Sequence, residues 1–343
     1  MHSFINSGPF EPCPTPFNLA AYVLQAGLGV PDKIALQIMG KTGAERWSYA
    51  ALTKAVRGIG TGFLEAGLQP GDRVLLRLGS TVDFPLAFLG AIAVGLVPVP
   101  TSTQLTQAEI TAMAAQIAPA CVVAGKDVTL PDLSVPVIDE ARLQAWRRNA
   151  PCDWEMGSPD RLAYLIFTSG TSGNPRAVMH AHRAVWARRM MWQGWYGLTP
   201  EDRLMHAGAF NWTYTLGTGL MDPWSVGATA LIPAEDVTPE ALPLLLKRHE
   251  ATMIAAAPGV YRKILNQNEQ IVLPKLRHGL TAGEKVSDHI RASWRGAGGG
   301  ELYEAFGMSE CSTFVSASPT TPAKPGALGK PQEGRRVAIL GDD

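Results

Sequence analysis

The sequence predicts an α/β protein in which layered sheets carry helices on both faces. Two observations lead to this class. Apolar segments with strand composition alternate with segments whose apolar residues recur at helical spacing, and turn-rich stretches separate them. The chain of 343 residues is also long enough to form more than one hydrophobic core.

The N-terminal half shows this alternation clearly. Residues 52–63 have a helical pattern, residues 74–78 form a predicted strand, residues 111–117 a helix and residues 121–124 a strand. The apolar run 84–100 is at the short end of what a membrane-spanning helix needs, and glycine and proline interrupt it. We therefore interpret it as a buried helix that leads into a buried strand.

The second half repeats the pattern. The polar residues 151–161 indicate a boundary, after which strands are predicted at 163–167, 227–233 and 251–258. The sequence thus predicts a first α/β subdomain (1–160), a second (161–310) and the start of a smaller β-rich subdomain (311–343). The last predicted strand, 336–340, has no partner after it, which suggests a truncated chain.

Composition narrows the classes of function and location. Acidic and basic residues number 30 each, so no overall charge would recruit nucleic acid or an anionic membrane. Four separated cysteines without a C-x-x-C motif fit a reduced protein, and the first residues do not resemble a signal peptide. We expect a cytoplasmic protein without a membrane span.

Histidine and arginine pairs follow the second boundary. His180 and His182 lie two residues apart on a strand-like segment, and without an obvious third ligand a structural role is favoured over a metal site. Residues 182–195 are predicted as a helix, on which Arg188 and Arg189 form a solvated face or, as a weaker alternative, approach a phosphate-bearing ligand.

The stretch TSGTSGNPR at residues 168–176 follows the strand 163–167 and contains no large apolar side chain. Its backbone N–H groups and hydroxyls could form a cradle for phosphate, with glycines that let the backbone approach a ligand. The glycine spacing differs from that of a Walker A loop. Composition alone favours this cradle and a flexible surface loop equally. The candidate cradle residues are Thr168, Ser169, Gly170, Thr171, Ser172, Gly173 and Arg176.

Several ordered motifs resemble the adenylate-forming enzymes, a family that includes acyl- and aryl-CoA synthetases. YLIFTSGTSGNPRAVMHAHRAV resembles the family's phosphate-loop signature, LTAGEKV its small-Gly-Glu turn, and LYEAFGMSE its aromatic-Gly-x-Thr-Glu motif. Together with N-terminal segments such as FLGAIAVGLVPVP, the resemblance covers nearly the whole chain. The segment 206–231 and the sequence ALGKP look most similar to benzoate-type aryl-CoA ligases.

The resemblance implies a reaction in two steps. A carboxylate attacks the α-phosphorus of ATP to give an acyl-adenylate and pyrophosphate, and the thiol of coenzyme A then displaces AMP. Catalysis would consist mostly of positioning and charge stabilisation. The cofactors implied are ATP/AMP, Mg²⁺ and coenzyme A, and the substrate is an aromatic or medium-chain acid.

The resemblance also assigns roles to individual residues. Thr168, Ser309, Glu310 and Arg176 would be catalytic, with Glu310 and Thr168 as ligands of Mg²⁺. The nucleotide would contact the loop residues 168–173 and a second group of residues on the adenine side: Gly283, Glu284, Phe306 and Gly307. The acid would be bound by His206, Phe210, Trp212, Tyr214, Ala282 and Ala305.

Three positions depart from the family pattern. The family's loop usually ends in Pro-Lys-Gly, but this chain has Pro175-Arg176-Ala177, and Ser309 replaces a threonine. Arginine keeps the charge in a planar fork, and alanine requires an extended backbone there. We expect phosphate binding to survive and the handling of pyrophosphate to change.

The family's C-terminal domain, which carries its catalytic lysine, has no counterpart in this sequence, and we therefore expect little activity from the chain alone. The alternatives are a nucleotide- or acid-binding fragment or paralogue without turnover, and an adenylating enzyme with an acceptor other than coenzyme A. A homodimer is one possible assembly.

Overall fold

Four β-sheets organise the part of the chain that the structure, a computed structural model, describes: residues 3–168, 175–324 and 326–341. The helices are α1 (Leu19–Gln25), α2 (Tyr49–Glu65), α3 (Asp83–Ala93), α4 (Gln107–Ile117), α5 (Glu140–Trp146), α6 (Ala184–Ala187), α7 (Asp222–Ser225), α8 (Leu242–Arg248), α9 (Pro258–Gln267) and α10 (Asp288–Gly296). The strands are β1 (Ser3–Asn6), β2 (Ile34–Met39), β3 (Ala44–Ser48), β4 (Arg73–Arg77), β5 (Val97–Pro100), β6 (Cys121–Ala124), β7 (Val137–Asp139), β8 (Leu162–Thr168), β9 (Arg176–Ala181), β10 (Arg203–His206), β11 (Thr229–Pro233), β12 (Met253–Ala256), β13 (His278–Thr281), β14 (Glu301–Met308), β15 (Ser312–Ser316), β16 (Lys330–Pro331) and β17 (Arg336–Ile339).

The predicted α/β class with layered sheets is confirmed. The largest sheet has the order β16-β15-β14-β13-β12-β10-β11-β2-β3, in which β2, β11, β10, β12, β13 and β14 run parallel. Its central strands are apolar on both faces, and all of β12 is buried, as expected for a parallel sheet covered by helices.

A second, fully parallel sheet has the order β5-β4-β6-β7. Helix α3, which lies in the apolar run 84–100, is buried along its entire length, and β5 follows it. The interpretation of this run as a buried helix and strand is therefore confirmed. No helix in the described ranges is long and apolar enough to span a membrane.

Sheet membership crosses the predicted boundary at residue 160. Strand β2 pairs in parallel with β11, and β3 pairs with β2, so residues 34–48 belong to the large sheet. Strand pairing alone would assign residues 34–48 to the second unit. The three-part division of the chain therefore remains a prediction.

One expectation about secondary structure is incomplete, and another is wrong. The terminal strand β17 does have a partner, because it pairs antiparallel with β1 in register Ser3 to Ile339. Residues 182–195 do not form one helix: α6 ends at Ala187, and a π-helical turn occupies Trp192–Tyr196. A π-helical turn widens the backbone locally, and this one buries Trp195 and Tyr196 side by side.

Two buried polar side chains hold the start of α1. The Asn18 carboxamide accepts from the N–H of Ala20 and Ala21 and donates to the carbonyls of Ile92 (3.0 Å) and Glu155 (2.8 Å). His182 Nδ1 accepts from the N–H of Leu19 at 3.0 Å. These bonds attach α1 to α3 and to the end of the β8–β9 hairpin, and they give His182 a structural role.

Replacement of Asn18 by alanine should destabilise the protein by about 2–4 kcal/mol, because it removes a helix cap and leaves buried carbonyls without donors. Urea unfolding measures this change in the free energy of unfolding. Thr106→Ala removes the exposed cap of α4 and should cost about 1 kcal/mol. Equal losses for the two variants would contradict the role of Asn18.

Burial, together with the charge of Arg161, lowers the pKa of His182 from 6.5 to about 3. Between pH 3 and pH 6.5 the unfolded chain therefore binds one more proton at His182 than the folded chain does. The contribution of the neutral, buried imidazole to stability is present above pH 6.5 and is lost as the pH falls towards 3. His182→Gln should flatten the pH dependence of the unfolding free energy by about 1.4 kcal/mol per pH unit between about pH 5.5 and 4. Urea unfolding over this range tests the effect, and an unchanged slope would contradict it.

Candidate active site

The hairpin of β8 and β9 carries the predicted phosphate loop. Thr168 at the end of β8 pairs with Arg176 at the start of β9, and the cradle residues 169–173 between them lie outside the described residues. Arg176 is exposed. Ala177 pairs with Phe167 in the ladder, which confirms the extended backbone expected at that position.

A bulge at the end of β14 shapes the aromatic-Gly motif. The register with β15 shifts between Phe306 and Gly307, and a Cβ at Gly307 would lie 2.1 Å from the carbonyl oxygen of Ser312. Only glycine permits this close approach of two backbones. The bulge directs the chain into the turn that carries Ser309 and Glu310. Phe306 is 52% exposed and lies edge-on to Phe314 at 4.7 Å.

A pocket of about 270 Å³ brings distant parts of the sequence together. Ser309 and Glu310 line it with Tyr164 and His180 of the hairpin, and Thr213 completes this wall. The hydroxyl oxygens of Thr213 and Ser309 are 3.4 Å apart. A carboxylate and two hydroxyls therefore meet beside the hairpin whose loop was predicted to bind phosphate.

His180 is a neutral member of this pocket. Its ring stacks on Tyr164 at 4.5 Å, and its Nε2 has no hydrogen-bond partner among the described residues. Burial and the charge of Arg188 lower its pKa to about 4, although Glu310 acts in the opposite direction. The imidazole can therefore offer a hydrogen bond here without adding charge.

The predicted acid-binding residues divide into two groups. Trp212, Tyr214, Ala282 and Ala305 share one apolar cluster, and His206 packs edge-on against Tyr214 at 4.4 Å. Tyr214 also donates through its hydroxyl to the carbonyl of Leu280. Burial lowers the pKa of His206 to about 3, so its ring is neutral.

Phe210 lies apart from that group. It belongs to another hydrophobic core, where it stacks on Phe84 at 4.5 Å. It also lines a second cavity of about 630 Å³ between the loops that follow β5 of the four-stranded sheet and β10 of the large sheet, residues 101–104 and 207–211.

Gly283 and Glu284 are exposed after β13. Gly283 has a φ of +98°, and a Cβ there would lie 2.7 Å from the Trp212 ring. The turn thus packs against the aromatic cluster, and glycine is required by both the backbone angle and the contact.

A buried ion pair was missed by the sequence analysis. Arg188 was predicted on a solvated face, but it is 7% exposed and pairs with Asp222 at 2.6 Å. Tyr196 donates to the same carboxylate at 2.7 Å, and Thr218 lies 2.9 Å from the Tyr196 hydroxyl. Burial alone would lower the pKa of Arg188, but the charge of Asp222 more than offsets this and raises it.

The donor set fits Mg²⁺ held together with a nucleotide. No group of three or more His, Cys, Asp or Glu side chains that could hold a metal occurs in the described ranges. Mg²⁺ commonly uses one or two carboxylates, substrate phosphates and water. Glu310 supplies one exposed carboxylate at the pocket, which is consistent with that mode of binding.

The chain is similar in sequence and fold to several known proteins. The chain is 26% identical over 86% of its length to the 4-hydroxybenzoate–CoA/benzoate–CoA ligase of Rhodopseudomonas palustris, of which it covers 58%. It is 27% identical over 96% of its length to a human mitochondrial acyl-coenzyme A synthetase, of which it covers 62%. The crystal structure of a benzoate CoA ligase from Burkholderia xenovorans superposes with a TM-score of 0.81 at 25% identity, covering 92% of this chain and 66% of that one.

The chain thus spans less than two thirds of these curated relatives. The match to the family described as AMP-binding enzyme extends over residues 25–343. Since this match includes the hairpin, the bulge and both cavities, the chain belongs to the AMP-binding enzyme family.

Proposed function

We propose that the protein activates a carboxylic acid with ATP and transfers the acyl group to coenzyme A. The observation that carries the proposal is the pocket in which Ser309 and Glu310 meet the hairpin of the predicted phosphate loop. A family member with a carboxylate and hydroxyls at that position has the groups required to bind a metal–nucleotide complex.

The first step would form an acyl-adenylate. A carboxylate oxygen of the acid attacks the α-phosphorus, the bond to the bridging oxygen breaks, and pyrophosphate leaves. Ser309 would donate a hydrogen bond to an α-phosphate oxygen, and Thr168 with residues 169–173 would bind the departing phosphates. Mg²⁺, when bound through Glu310 and Thr168, would neutralise phosphate charge.

The second step would form the thioester. The thiolate sulfur attacks the acyl carbon, the carbon–oxygen bond to phosphate breaks, and AMP leaves. Phe306, with Gly283, Glu284 and Gly307, would border the adenine. Trp212, Tyr214, His206, Ala282 and Ala305 would surround the acyl group, which favours a flat aromatic or medium-chain acid.

Further expectations belong to this proposal. They are a cytoplasmic location, a homodimer as one candidate assembly, and the division into units 1–160, 161–310 and 311–343. An acceptor other than coenzyme A and ligand binding without turnover are the competing functions.

Acid-dependent ATP–pyrophosphate exchange and calorimetric titration with Mg·ATP test the function. We expect Mg·ATP to bind and at least one acid from a panel of benzoates and medium-chain fatty acids to support exchange, at the low rate expected of this chain alone. Glu310→Gln keeps the side-chain shape but loses the charge, and it should weaken Mg·ATP binding about tenfold or more.

Glu301→Gln is the matched control, because Glu301 begins β14, the strand that leads to Glu310, but pairs with Arg295 on the surface. It should bind Mg·ATP like the wild type. Binding without exchange for any acid would favour a binding protein, and absence of both would contradict the proposed function.

Arg176→Lys should change the affinity for ATP less than threefold, because the exposed position accepts either cation. Arg176→Ala should lower the affinity by roughly tenfold, the effect of losing one charged hydrogen bond. The same titrations measure both variants. Loss of ATP binding in the lysine variant would show that the planar guanidinium itself is required.

A further inference from the structure

Charged side chains in the lining of the 270 Å³ pocket are not all compensated. Among the described residues, three arginines and Glu310 line it. Arg183 and Arg188 each pair with an aspartate. The third arginine, Arg335, has no ion-pair partner in the described ranges, and neither has Glu310. Arg335 is therefore the arginine of this lining whose charge no described carboxylate offsets.

A tight turn holds the backbone of Arg335 in place. The N–H of Arg335 donates to the carbonyl of Gln332 at 3.1 Å, and the N–H of Gln332 donates to the carbonyl of Phe314 at 2.9 Å. Gly334, within this turn, has a φ of +73°, and a Cβ there would lie 2.7 Å from Phe10 Cβ. Both the angle and the contact require glycine. The turn therefore attaches Arg335 to β15, which contains Phe314.

The side chain of Arg335 is attached to the segment that carries the Ser309–Glu310 motif. Its Nη2 donates to the carbonyl of Cys311 at 2.5 Å, and the carbonyl of Thr313 lies 3.4 Å from the same nitrogen. Cys311 directly follows Glu310 in the sequence. These bonds fix the guanidinium relative to the hydroxyl and the carboxylate of the motif.

Most donors of this guanidinium have no acceptor. The Nε of Arg335 is buried without a partner, and Nη1 has no acceptor among the residues that the structure describes. These two nitrogens carry more than half of the five N–H groups of a guanidinium. Arg335 can therefore bind a ligand in the pocket through Nη1 while Nη2 keeps its bond to the turn.

An anion is the ligand that fits this group. A guanidinium offers its N–H groups in a planar fork that matches the oxygens of a phosphate. A neutral acceptor would satisfy the donors but would leave the charge uncompensated. The side chain is half-buried, and there an opposite charge attracts it more strongly than it would in bulk water.

The attachment of Arg335 indicates which phosphate it would meet. Under the proposed function, Ser309 contacts the α-phosphate, and residues 169–173 contact the departing phosphates. The side-chain bonds of Arg335 go to Cys311 and Thr313, in the segment that begins with Ser309, and not to the described part of the hairpin. The α-phosphate is therefore the closest candidate.

We propose that Arg335 binds an oxygen of the α-phosphate and stabilises the negative charge that develops there in both steps. This inference rests on the proposed function, to which it adds a cationic binding residue. Arg335 stays protonated, and no bond to it forms or breaks. Because the turn fixes the guanidinium before the reaction, charge stabilisation requires little reorganisation.

Calorimetric titration with AMP and with adenosine, in the absence of divalent cations, tests the proposal. The two ligands share the base and the ribose and differ in the phosphate. The wild type should bind AMP about tenfold or more tightly than adenosine, the effect of a hydrogen bond to a charged donor. Arg335→Gln keeps a donor for the turn and removes the charge. It should lower the affinity for AMP about tenfold and leave that for adenosine unchanged.

Arg336→Gln is the matched control, because Arg336 is the next residue, is exposed and is absent from the pocket lining. It should bind AMP like the wild type. Magnesium pyrophosphate is a second probe, and it should bind to the wild type and to Arg335→Gln alike, because residues 169–173 would hold it. Circular dichroism checks that each variant is folded.

The outcomes separate the two proposals. Equal affinity of the wild type and Arg335→Gln for AMP, an equal loss of adenosine binding, or a loss of pyrophosphate binding would overturn the role of Arg335 alone. Failure of the wild type to bind either AMP or Mg·ATP would contradict the proposed function and this inference together. If Arg335→Gln is unfolded, the wild-type comparison decides, and equal affinities for AMP and adenosine overturn the inference.

Discussion

The candidate site depends on one constraint, the parallel direction of the central strands of the large sheet. Strands β10, β13 and β14 end at His206, Thr281 and Met308, and their neighbours in the sheet fix their spacing. The segments that follow these ends, 207–214 and 309–312, must therefore emerge at the same edge. Open parallel sheets generally bind ligands at that edge. Here the sheet brings Thr213 to Ser309 across nearly one hundred residues of sequence.

The Arg188–Asp222 pair fixes the inner wall of the same region. Removing both charges from water costs several kcal/mol per ion, and this cost is offset only when geometry and remaining hydrogen bonds are good. Both carboxylate oxygens accept from Arg188, and Tyr196 completes the network. Because any movement would leave a buried donor unpaired, this network holds the π-helical turn, the start of α7 and β15 in one arrangement.

Local patterns predicted much of the secondary structure. The strand at 121–124 was located to the residue, and the buried run 84–100 was correctly divided into helix and strand. These elements could be predicted because each is determined by its own composition and flanking turns. The pocket residues Ser309 and Glu310 were found because they belong to a contiguous motif.

Contacts between distant residues could not be found in this way. Arg188 and Asp222 are 34 positions apart, and neither lies in a pattern that distinguishes a buried charge from a solvated one. Strands β1 and β17 pair across almost the full sequence, and β2 joins a sheet whose other strands follow much later. Such pairings depend on the assembled sheet rather than on local propensity, which is why the pairing of the terminal strand with β1 was not predicted.

The segment 207–213 has a position that its sequence does not reveal. Residues 207–211 line the 630 Å³ cavity, and Thr213 lines the 270 Å³ pocket, so one short loop contributes to both spaces. Its first three residues are Ala207, Gly208 and Ala209, and a Cβ at Gly208 would lie 2.6 Å from Thr215 Oγ1. A side chain at position 208 would therefore displace Thr215, and glycine allows the loop to pack closely against the segment that follows it.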